Sequence, residues 1–218
     1  MGLFSWLFPE KCALCGRILE RQELDLCQTC RIDGPVCPIS KTKYPFLDEW
    51  TALWYYENDV RRSLLRYKFH GKRNLAAAYG RLLGMKLLTE DRADFDILTW
   101  IPISKQRLRK RGFDQVQLLA EKLGAELQVT PVATLRKMRH NKTQSAITGY
   151  AQRKANVLGA YEVLDPAVVA GKRILLLDDI LTTGATAGEC ARVLLTAGAK
   201  EVKFAAVAVA RQYKKDRR

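Results

Sequence analysis

The stretch that decides the fold is ILLLDDILTTGAT, Ile174–Thr186, which joins an apolar run, two acids and a turn of small residues. Its first four residues are continuously apolar, which is typical of a strand buried on both faces of a parallel sheet. We expect this strand to end where Asp178 and Asp179 begin. Two adjacent carboxylates at a strand end are costly unless something binds them. The stretch therefore predicts a ligand site at the end of a buried strand.

The second half of this stretch predicts that the ligand carries a phosphate. The turn consists of small or hydroxyl-bearing residues: Thr182, Thr183, Gly184, Ala185 and Thr186. Small side chains let the backbone approach an anion, and the helical pattern over 187–197 would add the free N–H groups of a helix start. Two other interpretations stay open: the acids would merely cap a helix or sit in solvent, or they would hold a metal beside a nucleoside triphosphate. The order of strand, acids, turn and helix favours the phosphate.

The same stretch resembles the signature with which type I phosphoribosyltransferases bind phosphoribosyl pyrophosphate (PRPP). It shares four apolar residues, two acids, two apolar residues and a Thr/Gly loop. The resemblance implies that Asp178 and Asp179 contact the ribose hydroxyls and that 182–186 hold the 5-phosphate. The implied fold is α/β, a type I phosphoribosyltransferase-like parallel sheet flanked by helices.

The remaining apolar patterns fit such a sheet. They predict strands over 51–56, 97–103 and 202–210, and helices over 60–67, 75–88 and 116–123, the last closed by Gly124. Strands that alternate with helices form parallel sheets, which bind ligands at the carboxyl ends of their strands.

Three basic segments add to the site. The segment 101–115, IPISKQRLRKRGFDQ, is predicted as a loop on the phosphate-loop face whose cations meet a second anionic group. The segment 136–161 is polar and basic, as a mobile lid or long active-site loop would be. In RYKFHGKR, 66–73, aromatic residues interleave with cations; such residues either stack nucleic-acid bases or pack into the core between solvated charges.

Four cysteines predict a second module. Cys12-x2-Cys15 and Cys27-x2-Cys30 have the spacing of a structural zinc site with four thiolate ligands. A redox pair and free thiols are the weaker alternatives. Cys37 lacks a partner and is not predicted to be a ligand, and Cys190 falls in a helical pattern as an inert core thiol. We expect a zinc ribbon over 1–44 and a phosphoribosyltransferase-like domain over 45–218, joined by a linker over 33–46. Whether the ribbon serves nucleic acid, a protein partner or stability stays open.

Composition points to acidic partners. The chain has 218 residues and a formal net charge of +14, which favours polyphosphorylated ligands or nucleic acid. The opening MGLFSWLF is apolar but too short for the apolar region of a signal peptide, and it lacks a basic start; no other apolar run is long enough to cross a bilayer. We therefore expect no transmembrane segment and a cytoplasmic location.

Taken together, the ribbon, YKFHG, IPISKQRLRKRGFDQ, KTQSAITGYAQRKANVLGAY and ILLLDDILTTGAT resemble the ComF family over nearly the whole chain. The resemblance implies a role in natural competence, the uptake of transforming DNA, with single-stranded DNA and other competence proteins as partners. Two departures stand out. A second cysteine knuckle is reduced to Cys37, and Asp114 replaces the usual Asn of the RGFNQ-like motif.

If the site catalyses phosphoribosyl transfer, it must stabilise the charges that develop in that reaction. The bond from ribose C1 to pyrophosphate breaks, so positive charge builds on the sugar and negative charge on the leaving group. Asp178 and Asp179 are the candidate catalytic residues, with Mg²⁺ bridging pyrophosphate and ribose oxygens. The candidate cations for the departing phosphates are Lys105, Arg107, Arg139 and Lys142. No acceptor-specific element is recognisable in the sequence. The sequence therefore leaves three roles of PRPP open: a substrate, a regulatory ligand, or the donor for an enzyme of nucleotide metabolism without a DNA role.

Overall fold

The computed structural model describes residues 9–40, 42–138 and 157–211. Its helices are α1 (Gln28–Asp33), α2 (Asn58–Phe69), α3 (Leu75–Thr89), α4 (Lys105–Arg111), α5 (Gln115–Leu127), α6 (Pro166–Val169) and α7 (Ala185–Thr196). Its strands are β1 (Glu49–Tyr55), β2 (Ile97–Trp100), β3 (Leu135–Lys137), β4 (Tyr161–Val163), β5 (Arg173–Leu181) and β6 (Glu201–Val209).

The main sheet has four parallel strands in the order β1-β6-β5-β2, which confirms the predicted architecture. Along β5, Ile174 and Leu176 belong to one apolar core, and Leu175 and Leu177 belong to the other. Successive side chains of a strand point to opposite faces, so a strand covered on both faces must be apolar throughout. Helices α2, α3 and α5 cover one face, and α7 covers the other.

Strand β5 is longer than the sequence pattern predicted. It continues through Asp178 and Asp179 to Leu181, because β6 keeps supplying hydrogen-bond partners as far as Val209. The neighbour on its other side is shorter, since β2 ends at Trp100, opposite Leu177. The two aspartates therefore lie beyond the end of β2 rather than beyond the end of their own strand.

Three other details differ from the sequence-based expectations. Much of the predicted basic loop over 101–115 is the helix α4, which Ser104 caps by accepting a hydrogen bond from the Arg107 N–H. Gly124 lies inside α5, where a Cβ atom would collide with the carbonyl oxygen of Val129. Strands β3 and β4 form a separate antiparallel pair, so part of the predicted lid segment is strand.

The cysteine-bearing segment packs directly on the α/β layer. Leu14 and Leu26 belong to the same apolar core as α2 and α3. Arg66 of α2 donates a hydrogen bond to the carbonyl oxygen of Leu14 at 2.6 Å, and Arg81 of α3 forms an ion pair with the buried Asp25. The ribbon's apolar side chains therefore share a core with the α/β layer.

The segment that follows the ribbon is also held in place. The Cys37 N–H donates to the carbonyl oxygen of Leu53 at 2.9 Å, and the Tyr55 N–H donates to that of Pro35 at 2.8 Å. These bonds attach the predicted linker to β1. In the described part of the chain, every helix is too short or too polar to cross a lipid bilayer.

Candidate ligand-binding cleft

A cleft of about 950 Å³ opens at the carboxyl ends of the parallel strands. Tyr56 follows β1, Ile101 follows β2 and Thr182 follows β5, and all three line it. Ligands of parallel α/β sheets bind at this end of the strands. The volume is within the usual range for small-molecule sites.

The predicted phosphate loop lies at the floor of this cleft. Thr182, Gly184 and Thr186 line it, whereas Thr183 is not among the lining residues and accepts a hydrogen bond from the Ala185 N–H at 3.4 Å. The loop ends at the N-terminus of α7, a helix of 12 residues whose positive end favours an anion.

Gly184 is required at its position for two reasons. Its φ of 75° lies in the left-handed region, which side chains rarely adopt. A Cβ atom there would also overlap the ring of Tyr44, which packs against the loop from the segment after the ribbon. The loop is thus supported by a side chain more than a hundred residues away in sequence.

Asp179 is buried and already has two side-chain partners. The Lys68 ammonium lies 2.8 Å from its Oδ1, and the amide of Gln115 donates to its Oδ2 at 2.8 Å. Lys68 comes from α2 and Gln115 from the start of α5, so the carboxylate ties two helices to β5. This arrangement fixes the direction of Asp179.

Asp178 has a different environment. Its carboxylate accepts a hydrogen bond from the Asp179 N–H at 2.7 Å. Burial raises the pKa of Asp178, the neighbouring Asp179 carboxylate raises it further, and Lys68 lowers it only in part. A ribose hydroxyl or a cation beside Asp178 would relieve this cost.

Cations form one wall of the cleft. Arg107, Lys110 and Arg111 come from α4, and Lys137 comes from β3. Lys105, which the sequence also placed at the pyrophosphate, is exposed at the start of α4 and is not among the lining residues. Arg139 and Lys142, the predicted lid cations, lie outside the described residues.

Asp114 serves as a helix cap beside this basic wall. It caps α5 by accepting hydrogen bonds from the Val116 and Gln117 N–H groups, and it accepts a third from Ile103. An Asp is as good a helix cap as an Asn, so the departure from the family pattern is structurally conservative.

The sequence did not single out three side chains that line this cleft: Lys68, Gln115 and Lys137. Arg111 also lines it and is one of the cations of 101–115 that the sequence placed near an anion. Lys68 and Gln115 reach Asp179 across 111 and 64 residues of chain, which no local pattern reveals. The basic composition of 66–73, 101–115 and 136–161 was the sequence signal that these segments belong near an anion.

The four predicted zinc ligands come together at the surface of α2 and α3. The sulfur atoms of Cys12, Cys15, Cys27 and Cys30 all lie within 4.8 Å of one another. The Cys15 and Cys27 sulfurs are 3.7 Å apart, and tetrahedral zinc with bonds of about 2.3 Å separates its sulfurs by about 3.8 Å. The cluster therefore fits zinc. Cys37 is buried elsewhere in the core, and Cys190 is buried in α7, as expected of a core thiol.

Comparison with known proteins agrees with these features. The phosphoribosyl transferase domain family matches residues 108–218. The chain is 29% identical to DNA utilization protein YhgH of Salmonella typhi over 201 residues, covering 88% of this chain and 87% of that protein. It is also 29% identical to competence protein ComFC of Streptococcus pneumoniae over 224 residues, covering 88% and 97%. Competence protein F of Haemophilus influenzae is 23% identical over 165 residues, covering 73% and 72%. These relatives confirm the resemblance to ComF proteins.

Proposed function

Because the chain belongs to the phosphoribosyl transferase domain family, we propose that its cleft binds PRPP with Mg²⁺. The observation that carries the proposal is the convergence of an acidic pair, a phosphate loop and a cationic wall at one sheet edge. PRPP carries a phosphate at one end, a pyrophosphate at the other and ribose hydroxyls between them, so each feature has a matching group.

Each part of the ligand is assigned to particular residues. The loop 182–186 and the α7 N-terminus hold the 5-phosphate. Asp178 and Asp179 accept hydrogen bonds from the ribose hydroxyls, with Asp179 held in place by Lys68 and Gln115. Arg107, Lys110 and Lys137 neutralise the pyrophosphate, and Lys105, Arg139 and Lys142 belong to the same proposed set.

The acidic pair also fits a divalent cation near the pyrophosphate. Mg²⁺ prefers oxygen ligands, and Asp178 lies in a place where burial disfavours its charged form without a cation. Bound there, Mg²⁺ would withdraw charge from the leaving pyrophosphate. The residues of the chain orient the ribose and hold the two phosphate groups apart.

The biological role that we propose is in DNA uptake. The relatives named for competence and DNA utilization support this role, and the net charge of +14 favours single-stranded DNA as a second ligand. Competence proteins are further proposed partners, in the cytoplasm. The competing function is a phosphoribosyltransferase of nucleotide metabolism without a DNA role, which would release pyrophosphate from PRPP when a nucleobase is added.

The test of PRPP binding replaces one carboxylate. Asp178→Asn should weaken PRPP binding at least tenfold in calorimetry with Mg²⁺, because an amide cannot accept hydrogen bonds with the strength of a carboxylate. Asp179 is the poorer choice, since its loss would strand the partly buried Lys68 ammonium. The matched control is Asp96→Asn at the opposite edge of the sheet, where Asp96 pairs with Arg173. Equal PRPP affinity in Asp178→Asn and wild type would contradict the proposal.

A further inference from the structure

Phe69 is an aromatic residue left exposed at the mouth of the cleft. It is the last residue of α2, its exposed fraction is 65%, and it lines the cleft. The buried side chains of α2 are Val60, Ser63, Leu64 and Tyr67. The core thus accounts for Tyr67 in the motif RYKFHGKR but not for Phe69.

A guanidinium group lies against Phe69. The Arg111 Cζ atom is 5.0 Å from the centroid of the Phe69 ring, within the range of a cation–π contact. Arg111 comes from the end of α4 and also donates to the side chain of Gln115, which in turn donates to Asp179. The exposed ring is therefore joined to the acidic pair through two side chains.

The two segments that meet here are held by a second pair of the same kind. Arg73 lies 4.5 Å from the centroid of Phe113, so each segment gives a phenylalanine to the other's arginine. Phe113 also packs edge-on against the buried Tyr67, at 6.2 Å between ring centroids. These contacts hold Phe69 and Arg111 in position without a ligand, which is what a stacking surface requires.

Positive charge surrounds this surface. Arg61, Arg73 and Lys110 line the same cleft, and none of them forms an ion pair with a carboxylate within 9–40, 42–138 and 157–211. Proteins that bind single strands combine cations for the phosphates with aromatic rings on which bases stack. An exposed ring among cations that form no such ion pair in the described residues matches that combination.

We propose that Phe69 and Arg111 form a stacking shelf for an unpaired nucleobase at the mouth of the cleft. The inference deepens the proposed function and rests on its DNA-binding part, because the base is that of a single strand whose phosphates contact Arg61, Arg73 and Lys110. A free nucleobase presents the same planar face and is the other source of this ligand. A base on the shelf lies beside the proposed PRPP site, since Lys68 precedes Phe69 and contacts Asp179.

The test uses substitutions that separate stacking from burial. Phe69→Leu keeps an apolar side chain without a ring, and Phe69→Trp keeps a ring. Affinity for oligothymidylate, measured by fluorescence anisotropy at fixed salt, should fall about tenfold in Phe69→Leu and stay near wild type in Phe69→Trp. Phe46→Leu is the matched control, because Phe46 is also half-exposed and does not line the cleft. Arg111 is not substituted, since it also supports Asp179 through Gln115.

A second oligonucleotide separates base contacts from phosphate contacts. An abasic strand of the same length keeps the phosphates, so Phe69→Leu and wild type should bind it equally. Loss of affinity confined to free thymine or adenine would also support the shelf and would identify a small base as the ligand. Equal binding of both oligothymidylate and free base by Phe69→Leu and wild type would overturn the shelf while leaving DNA binding intact. An equal loss on the abasic strand would overturn it too.

The outcome for PRPP is measured separately by calorimetry on the same variants. Phe69→Leu should keep wild-type PRPP affinity, because the phosphate loop and the acidic pair are unchanged. If the wild type binds no PRPP, but Phe69→Leu still weakens oligothymidylate binding, the PRPP proposal is wrong and the shelf remains supported. A wild type that binds neither oligonucleotide nor free base would end both the DNA proposal and the shelf.

Discussion

Folding moves the charged side chain of Lys137 partly out of water. Burial is the main reason that its pKa falls from 10.5 to about 8, and the nearby Arg107 adds to the effect. Its ammonium donates to the Tyr161 hydroxyl at 2.7 Å and lies over the Tyr161 ring. A lysine with a lowered pKa that lines a cleft is typical of a functional site. An anionic ligand beside it would stabilise the ammonium and offset its desolvation.

Replacing Lys137 with Met should therefore change the pH dependence of stability. Between pH 8 and 10.5 the unfolded wild type binds more protons at this lysine than the folded protein does, so wild-type stability falls as pH falls through this window. The variant lacks this loss. Its free energy of unfolding, relative to wild type, should improve by about 3 kcal/mol from pH 10.5 to pH 7.

Urea unfolding at several pH values measures this difference, with Lys172→Met as the control for an exposed lysine. A difference that does not vary with pH would show that the Lys137 charge is not desolvated. PRPP binding by Lys137→Met should weaken, so the substitution would trade ligand affinity for stability.

At the scale of elements, the ribbon and the helices beneath it depend on each other. Ser63 of α2 donates to the Ala13 carbonyl oxygen, and Arg66 donates to that of Leu14, so the cysteine-bearing loop supplies acceptors to the helix. Asp25 is buried against Arg81 of α3. Loss of the ribbon would leave these donors and part of the apolar core in water.

Cys30→Ser should therefore do more than release zinc. We expect wild type to hold one zinc ion per chain, and we expect the variant to lose it together with amide protection in both 9–40 and α2. Metal analysis and hydrogen exchange measure the two effects. Cys37→Ser, which alters a buried thiol outside the cluster, should keep the zinc. Loss of protection confined to 9–40 would mean that the helices are stable without the ribbon.

Some elements of the fold could be predicted from sequence and others could not. Strand β5 and the turn that follows it were predictable because an apolar run and a Thr/Gly turn are local patterns. Helix α4 was not, because KQRLRKR has no apolar periodicity and its start depends on the Ser104 cap. Strands β3 and β4, each of three residues, are too short to produce an alternating pattern.

In the candidate site, the residues that are contiguous in sequence could be predicted, and those brought together by packing could not. Asp178, Asp179 and 182–186 were identified because they are contiguous with a buried strand. Lys68 and Gln115 were not, because their contact with Asp179 arises only when α2 and α5 pack on β5. The support of Gly184 by Tyr44 was likewise hidden, since the two residues are far apart in the chain.

At the scale of the whole molecule, one cleft offers two different surfaces to anions. Its floor offers a helix N-terminus and a Thr/Gly loop, and its wall offers Arg107, Lys110 and Lys137. The acidic pair lines the same cleft. Such a combination suits a ligand with phosphates at both ends and hydroxyls in the middle.

The most direct measurement is calorimetric titration of the wild-type chain, in Mg²⁺, with PRPP and with its two halves. Ribose 5-phosphate and pyrophosphate should each bind and should each compete with PRPP, because each would occupy one end of the cleft. PRPP should bind at least a hundredfold more tightly than either half, since one molecule gains both sets of contacts for a single loss of translational freedom. PRPP affinity no greater than that of pyrophosphate alone would contradict the account, because it would show that the phosphate loop and the acidic pair make no contact with the ligand.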